Sequence, residues 1–361
     1  MYAALRQLLF LFPPDAAHSL AVAALGLVEN VTPFRDAARS ALAPEISPRL
    51  AFRLLGLDFP SPVGLAAGFD KNALRPRALA ALGFGHLELG TVTAQAQAPN
   101  PKPNLFRLPA DRALVNRLGF PNEGAQTVAR RLAQVRREVP VPVGLSIGKS
   151  RAVPVDDVEA VAADYASSLE AVRSVADFLV VNVSSPNTAG LRSMQAADAL
   201  RELLARLVPL AQGKPLLLKV APDLEDEQLE ALLAVVDERA LAGVVATNTT
   251  VARSGLQTDP AYVTSIGAGG LSGPPLRARA VHVVRRARAR LGPKAVVVGV
   301  GGVEKAEHAM DLVRAGADLV QMYTGFIYEG PGAPSRITRD LAAMVEREGA
   351  RSITELRGQG A

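Results

Sequence analysis

From about residue 45 onward, hydrophobic and polar positions alternate in blocks. Short apolar runs rich in β-branched residues end in polar or glycine-rich segments, and stretches with helical spacing separate them. The runs are PVGLAAG from Pro62, HLELGTVT from His86, PVGLSIGKS from Pro142 and FLVVNVSSPN from Phe178. PLLLKVAPD from Pro215, GVVATNTT from Gly243, AVVVGVGG from Ala295 and LVQMYTGF from Leu319 complete the series. Near-continuous β-branched runs of this kind mark parallel strands buried on both faces. Amphipathic segments lie between them, for instance at 155–175, 197–211 and 225–240. The segment APDLEDEQLEALLAVV carries its acidic residues in the first turn, where a helix N-terminus favours them. Eight strands with intervening helices predict a (β/α)8 TIM barrel, with a doubly wound open sheet as the other arrangement. In every strand the functional-looking residues fall at the C-terminal end, the face on which barrel enzymes assemble their sites.

Residues 1–45 stand outside this rhythm. MYAALRQLLFLFPPDAAHSLAVAALGLV has the look of a secretion leader, but its apolar part is short, Pro13 and Pro14 stop it, and a second helical pattern follows at once. Tyr2, Leu5, Leu8, Leu9 and Phe12 share one helical face. Asp15 is placed to cap a second helix carrying Leu20, Ala23, Ala24 and Leu27 on one side. Two helices are expected, either covering the barrel flank or offering a pocket or membrane-lying face. No apolar run is long enough to span a bilayer.

Composition narrows the chemistry. The chain lacks cysteine, which excludes disulfides, thiolate metal sites, cysteine-bound iron–sulfur clusters and a cysteine nucleophile, and fits a reducing compartment. Its four histidines (His18, His86, His282 and His308) are scattered, so no metal site is expected. The net charge of +5 reads as an Arg-rich solvated surface or as attraction to an anionic one. With aromatics at 4% and no basic run interleaved with them, nucleic acid is not an expected partner.

The strand ends carry the informative residues. FLVVNVSSPN closes in small polar residues, with Ser185 among them and no histidine nearby, so a serine-hydrolase triad is excluded. Asp70 and Asp223 are isolated carboxylates, which argues against metal-assisted hydrolysis. Asn116, Asn182, Asn187 and Asn248 offer paired donors and acceptors, matching the edge of a cyclic amide or imide. Lys219 lies inside the fifth strand, where an unpaired ammonium is costly, and Lys71 follows the first. GGLSG precedes the seventh strand, GVGG closes it and YTG ends the eighth, which is where barrels place a phosphate site. With the small residues Ala66, Ala67 and Gly68 permitting close approach, the set points to FMN. An aldolase or isomerase using Lys219 as a Schiff base on a sugar phosphate also accounts for the lysine and glycines, but leaves the asparagines idle. A peripheral membrane module with a degenerate barrel explains only residues 1–45 and the charge.

With these residues in place, the chain closely resembles the quinone-dependent, membrane-associated class 2 of the dihydroorotate dehydrogenase family. The motifs LAAGFDK, ELGTVT, NRLGFPN, VNVSSPNT, KVAPDL, ATNTT, GGLSG, GVGG and QMYTGF occur in that order over nearly the whole length. The resemblance implies oxidation of dihydroorotate to orotate, FMN as cofactor and a membrane quinone as final acceptor. It puts Ser185 at the catalytic base. Lys71, Asn116, Asn182, Asn187, Asn248 and Thr249 match substrate-binding positions, and Arg117, Leu118, Gly119 and Phe120 with Asn116 form the substrate loop. Ala67, Gly68, Lys71, Thr91, Asn182, Lys219, Thr247, Gly273, Gly302, Tyr323 and Thr324 match flavin contacts. His18 and Arg107 match polar residues of the quinone pocket. Residues 1–45 then form a quinone- and membrane-contact extension and 46–361 the FMN-binding barrel. The expected location is the cytoplasmic face of the cell membrane, against anionic lipid, with no iron–sulfur subunit. One departure is Ser146, standing where the class usually has an asparagine against the flavin. Thr324 in place of the frequent serine keeps the hydroxyl.

Overall fold

The eight expected strands are present and close on themselves, which removes the open-sheet arrangement. The computed structural model describes residues 2–360, with the side chains of Ala3, Asp15, His18 and Ser19 outside the described set. Strands β1 (Phe52–Leu54) and β2 (Leu57–Phe59) form a hairpin ahead of the barrel. Barrel strands β3 (Val63–Leu65) and β4 (His86–Val92) follow, then β5 (Leu105–Leu108) and β6 (Ala113–Asn116) outside it. The barrel continues with β7 (Val143–Ile147), β8 (Phe178–Asn182), β9 (Leu216–Val220) and β10 (Gly243–Ala246). The short outer strand β11 (Gly270–Ser272) precedes β12 (Val296–Val300) and β13 (Leu319–Met322). All barrel pairs are parallel, and β13 returns to β3 through the register Val320↔Val63, closing the ring.

Two packing layers explain the sequence pattern. One set of strand residues faces the surrounding helices, for instance Leu65, Leu87, Leu145, Val181, Leu218 and Val244. The other fills the barrel, where Phe178, Leu217, Val296 and Leu319 meet Phe59 from the hairpin. The repeated PVGL motif has a steric cause. A Cβ on Gly64 would lie 2.2 Å from the His86 ring, and one on Gly144 would lie 2.1 Å from the Phe178 ring. Each glycine therefore makes room for a ring on the next strand.

Strands β5, β6 and β11 form an antiparallel sheet outside the barrel, with Gly270 registered on Asn116. Val115, Leu108, Ala113, Leu271 and Ile266 give it a small core of its own. The segment 116–120 leaves this sheet from the end of β6.

The N-terminal region holds three helices rather than two: α1 (Tyr2–Phe10), α2 (Pro14–Asn30) and α3 (Thr32–Leu42). The second begins with Pro14 in its first turn, so Asp15 lies inside it and not at the cap. The expected apolar faces are split or turned outward. Tyr2, Arg6, Leu9 and Phe10 are half-buried, whereas Leu5, Leu8 and Phe12 are exposed. In α2 the expected face of Leu20, Ala23, Ala24 and Leu27 is exposed, and the buried anchor is Glu29. Its carboxylate pairs with Arg77 at 2.9 Å and accepts the Ala78 N–H at 2.8 Å, tying α2 to the first turn of the helix Pro76–Ala81. Of the exposed large apolar side chains among the described residues, most lie in the first 34 positions, with Leu11 at 81%. No described helix is long and apolar enough to cross a membrane.

Candidate active site at the barrel mouth

The C-terminal ends of the barrel strands surround an open cavity. Of the residues expected there, Ala67, Gly68, Lys71, Thr91, Asn116, Leu118, Gly119, Phe120, Asn182, Ser185 and Asn187 all line it. So do Lys219, Thr247, Asn248, Thr249, Gly273, Gly302, Tyr323 and Thr324. Arg117 does not. Its guanidinium turns outward, donating to Pro103 O at 3.1 Å and Ile266 O at 2.5 Å, and lies over the Phe106 ring. It therefore fastens the loop between Asn104 and the helix Pro260–Ile266.

The asparagines form two hydrogen-bonded sets. Asn182 is buried and both ends of its amide are engaged. It donates to Thr91 Oγ1 at 3.0 Å, and its Oδ1 accepts Ser184 Oγ at 3.0 Å and Asn248 Nδ2 at 3.3 Å. Asn187 Nδ2 donates to Asn116 Oδ1 at 3.1 Å, joining the tail of β8 to the end of β6. Ser185 is buried at the same wall and its Oγ accepts the Asn187 N–H at 3.2 Å. Arg192 braces the set from outside. It donates to Ser184 O at 3.1 Å and Thr249 O at 2.9 Å, and pairs with Asp223 at 2.7 Å. Asp223 thus serves structure, as does Asp70, which accepts the N–H groups of Leu74 and Arg75.

Ser146 does not line the cavity. Its hydroxyl lies 2.9 Å from Thr91 Oγ1 and stands behind the threonine that does.

Two cations face the cavity. Lys71 donates to Gly68 O at 2.5 Å, and burial pushes its ammonium down to about 8, with Asp70 opposing the shift. Lys219 lies on the floor and pairs with Glu88 at 3.2 Å, both buried. Glu88 and Gln321 escaped sequence reading, since neither sits at a strand end. Lys219 is engaged with a carboxylate rather than free toward a carbonyl carbon, so the geometry gives a Schiff-base role no support. Burial also pushes the Tyr323 phenol up to about 12, leaving it neutral.

The remaining wall is backbone. A Cβ on Gly325 would lie 1.9 Å from Val303 O, and one on Gly302 would lie 3.1 Å from Gly273 O. Three loops meet here so closely that only glycine fits between them, and peptide groups rather than side chains are presented. Among the described residues, no group of His, Asp or Glu side chains could hold a metal ion.

Arg107 lies away from the cavity, where α1 meets α2. It donates to Phe12 O at 3.0 Å and stacks over the Phe10 ring at 4.4 Å. Burial lowers its guanidinium, though Tyr328 and Tyr2 oppose this. The side chain of His18 lies outside the described residues.

Residues 49–345 match the family model described as dihydroorotate dehydrogenase. A protein named dihydroorotate dehydrogenase (quinone) from Rhodococcus opacus is 49% identical over 361 residues, covering 100% of this chain and 99% of its own length. One of the same name from Thermobifida fusca is 51% identical over 351 residues, covering 95% and 92%. The crystal structure of ligand-free type DHODH from Eimeria tenella superposes with a TM-score of 0.85 at 32% identity, covering 96% of this chain and 99% of that one.

Proposed function

The chain belongs to the dihydroorotate dehydrogenase family, and from that premise we propose that its barrel mouth holds FMN and uses Ser185 as base. The protein is an oxidoreductase that converts dihydroorotate to orotate in pyrimidine synthesis, with a quinone as electron acceptor. The observation that carries the cofactor reading is the convergence of two lysines, four asparagines and three glycine loops on one cavity.

The residues fit FMN. The peptide groups around Gly273, Gly302, Thr324 and Gly325 suit its phosphate, since closely packed glycine backbone presents N–H donors to an anion. Lys219 on the floor and the small residues Ala66, Ala67 and Gly68 on one wall suit a flat ring that gains negative charge when reduced. When bound, FMN supplies the acceptor for a hydride.

Oxidation of dihydroorotate breaks a C–H bond at C5 and another at C6 and forms a double bond between them. The C5 proton must leave to a base on the protein while the C6 hydrogen leaves with its electron pair. Ser185 Oγ is the hydroxyl on the wall, and the Asn187 N–H that it accepts stabilises negative charge on it. The mutually bonded Asn116 and Asn187, with Asn248, grip the ring edge. Lys71 supplies the positive charge for the substrate carboxylate. The loop 116–120 closes the substrate side and excludes water.

Arg107 and His18 would serve the quinone's path, and the protein would sit peripherally on the cytoplasmic face of the cell membrane. The exposed apolar side chains of α1 and α2 would lie in anionic lipid, and no iron–sulfur subunit is required. The test is anaerobic addition of dihydroorotate to the purified protein. The flavin absorbance should bleach at once; protein without flavin that takes up none from solution would refute the reading.

A further inference from the structure

The cavity floor rests on a polar column that strand-end chemistry does not explain. Glu88 on β4 is fully buried and reaches across the barrel to Lys219 on β9, although β7 and β8 stand between their strands. Its other oxygen accepts Gln321 Nε2 from β13 at 2.8 Å. The surrounding interior is aliphatic, with Val180, Val245 and Val298 buried at this level. Lys219 and Gln321 both line the cavity, whereas Glu88 does not.

We propose that Glu88 is the positioning residue of the cavity floor, holding the Lys219 ammonium charged and fixing the Gln321 amide beneath the bound cofactor. The inference rests on the reading that this mouth binds FMN. Three observations carry it. First, one carboxylate engages both polar side chains of the floor, one with each oxygen. Second, the pair is buried on both sides, and a buried ion pair is commonly matched or bettered in stability by apolar residues of similar volume, so its presence points to a role at the site. Third, among the described residues Lys219 is the one cation paired with Glu88. His86 lies 3.4 Å from Gln321 Nε2, and burial pushes it down to about 3, so it is neutral. With Nε2 committed to Glu88, the Gln321 amide keeps Oε1 buried and without a partner beneath the cavity. The floor thus places one charged donor at the cavity and one amide under it, both set by Glu88.

The test uses Glu88→Gln, Lys219→Met and the double variant, prepared flavin-free and titrated with FMN between pH 6 and 9. A buried ammonium without a counter-ion gives up its proton near neutral pH. The ratio of Glu88→Gln to wild-type FMN affinity should therefore fall by about tenfold or more as pH rises, the scale of a charged hydrogen bond. The step should vanish in the double variant. Lys71 and Tyr323 also line the cavity and Glu88 and His86 adjoin the floor, while β8 and β10 face Lys219 with Asn182 and Val245. Titration of Lys71 is common to all forms and cancels in the ratio. Should Glu88→Gln fail to fold, Glu88→Asp keeps the charge at shorter reach and should show a smaller step at higher pH. A pH-independent ratio in the folded variant would overturn the inference. Wild-type protein that binds no FMN would overturn the cofactor reading instead.

Discussion

Lys71 makes binding of an anionic ligand depend on pH in a way that can be worked out from its burial. Its ammonium is lowered to about 8 from the ordinary 10.5 because the loop after β3 takes it out of water. Its folded value is depressed, so the charged form is present below pH 8 and disappears as pH rises through it. About nine-tenths of the lysine is charged at pH 7 and about one-tenth at pH 9, so affinity that depends on that charge should fall about tenfold between the two. Orotate is the ligand to use, since its binding requires no proton abstraction and does not report on Ser185. The assay is the perturbation of flavin absorbance on titrating orotate into the oxidised enzyme at pH 7, 8 and 9. Lys71→Met should bind orotate about 10- to 100-fold more weakly at pH 7, the range for a charged hydrogen bond, and should lose the slope. Wild-type affinity that is flat across these values, or a slope that survives in Lys71→Met, would refute the assignment of the substrate's carboxylate to this lysine.

Ser185→Ala should retain flavin and bind orotate but reduce the flavin about 10²- to 10⁴-fold more slowly in anaerobic stopped flow; a near-normal rate would put the base elsewhere. A triple change of Leu8, Leu11 and Phe12 to serine touches exposed side chains and should leave flavin bleaching intact while lowering binding to anionic vesicles and the rate of reoxidation by a quinone analogue. Unchanged vesicle binding would make the helices mere packing. Asp318 lies buried between Arg288, at 2.6 Å, and Arg357, and caps the Val297 N–H. Asp318→Ala should lower stability by about 3–5 kcal/mol in denaturant unfolding, since it breaks a buried ion pair and leaves the Val297 N–H without its acceptor.

What could be read from the sequence follows from where each physical signal is local. The eight barrel strands were legible because burial on both faces imposes unbroken apolar runs. The polar residues that end them, from Lys71 to Thr324, were legible because they interrupt those runs. The outer sheet was not legible. β11 has three residues, Gly270–Ser272, and its pairing with β6 joins segments about 150 positions apart. The helix α3 fully buries none of its residues, and its inward stripe of Arg35, Ala38 and Leu42 is only half-buried and mixes charge with apolar side chains. In α1 and α2 the apolar periodicity was real but its direction was misjudged. Periodicity gives the existence of an apolar face and not what covers it, and Leu20, Ala23, Ala24 and Leu27 face solvent. Arg117 shows the same limit in a loop: its neighbours Asn116 and Leu118 line the cavity, while its own side chain turns to Ile266 O. Glu88 is the clearest case. A single acidic residue within HLELGTVT breaks the apolar run, which marks it as a buried charge, yet its partner lies 131 positions away on a strand that it does not adjoin. Sequence spacing names the two ends of such a pair separately. Only closure of the barrel, which turns opposite strands inward onto one another, makes the lysine on the floor and the carboxylate beneath it a single unit.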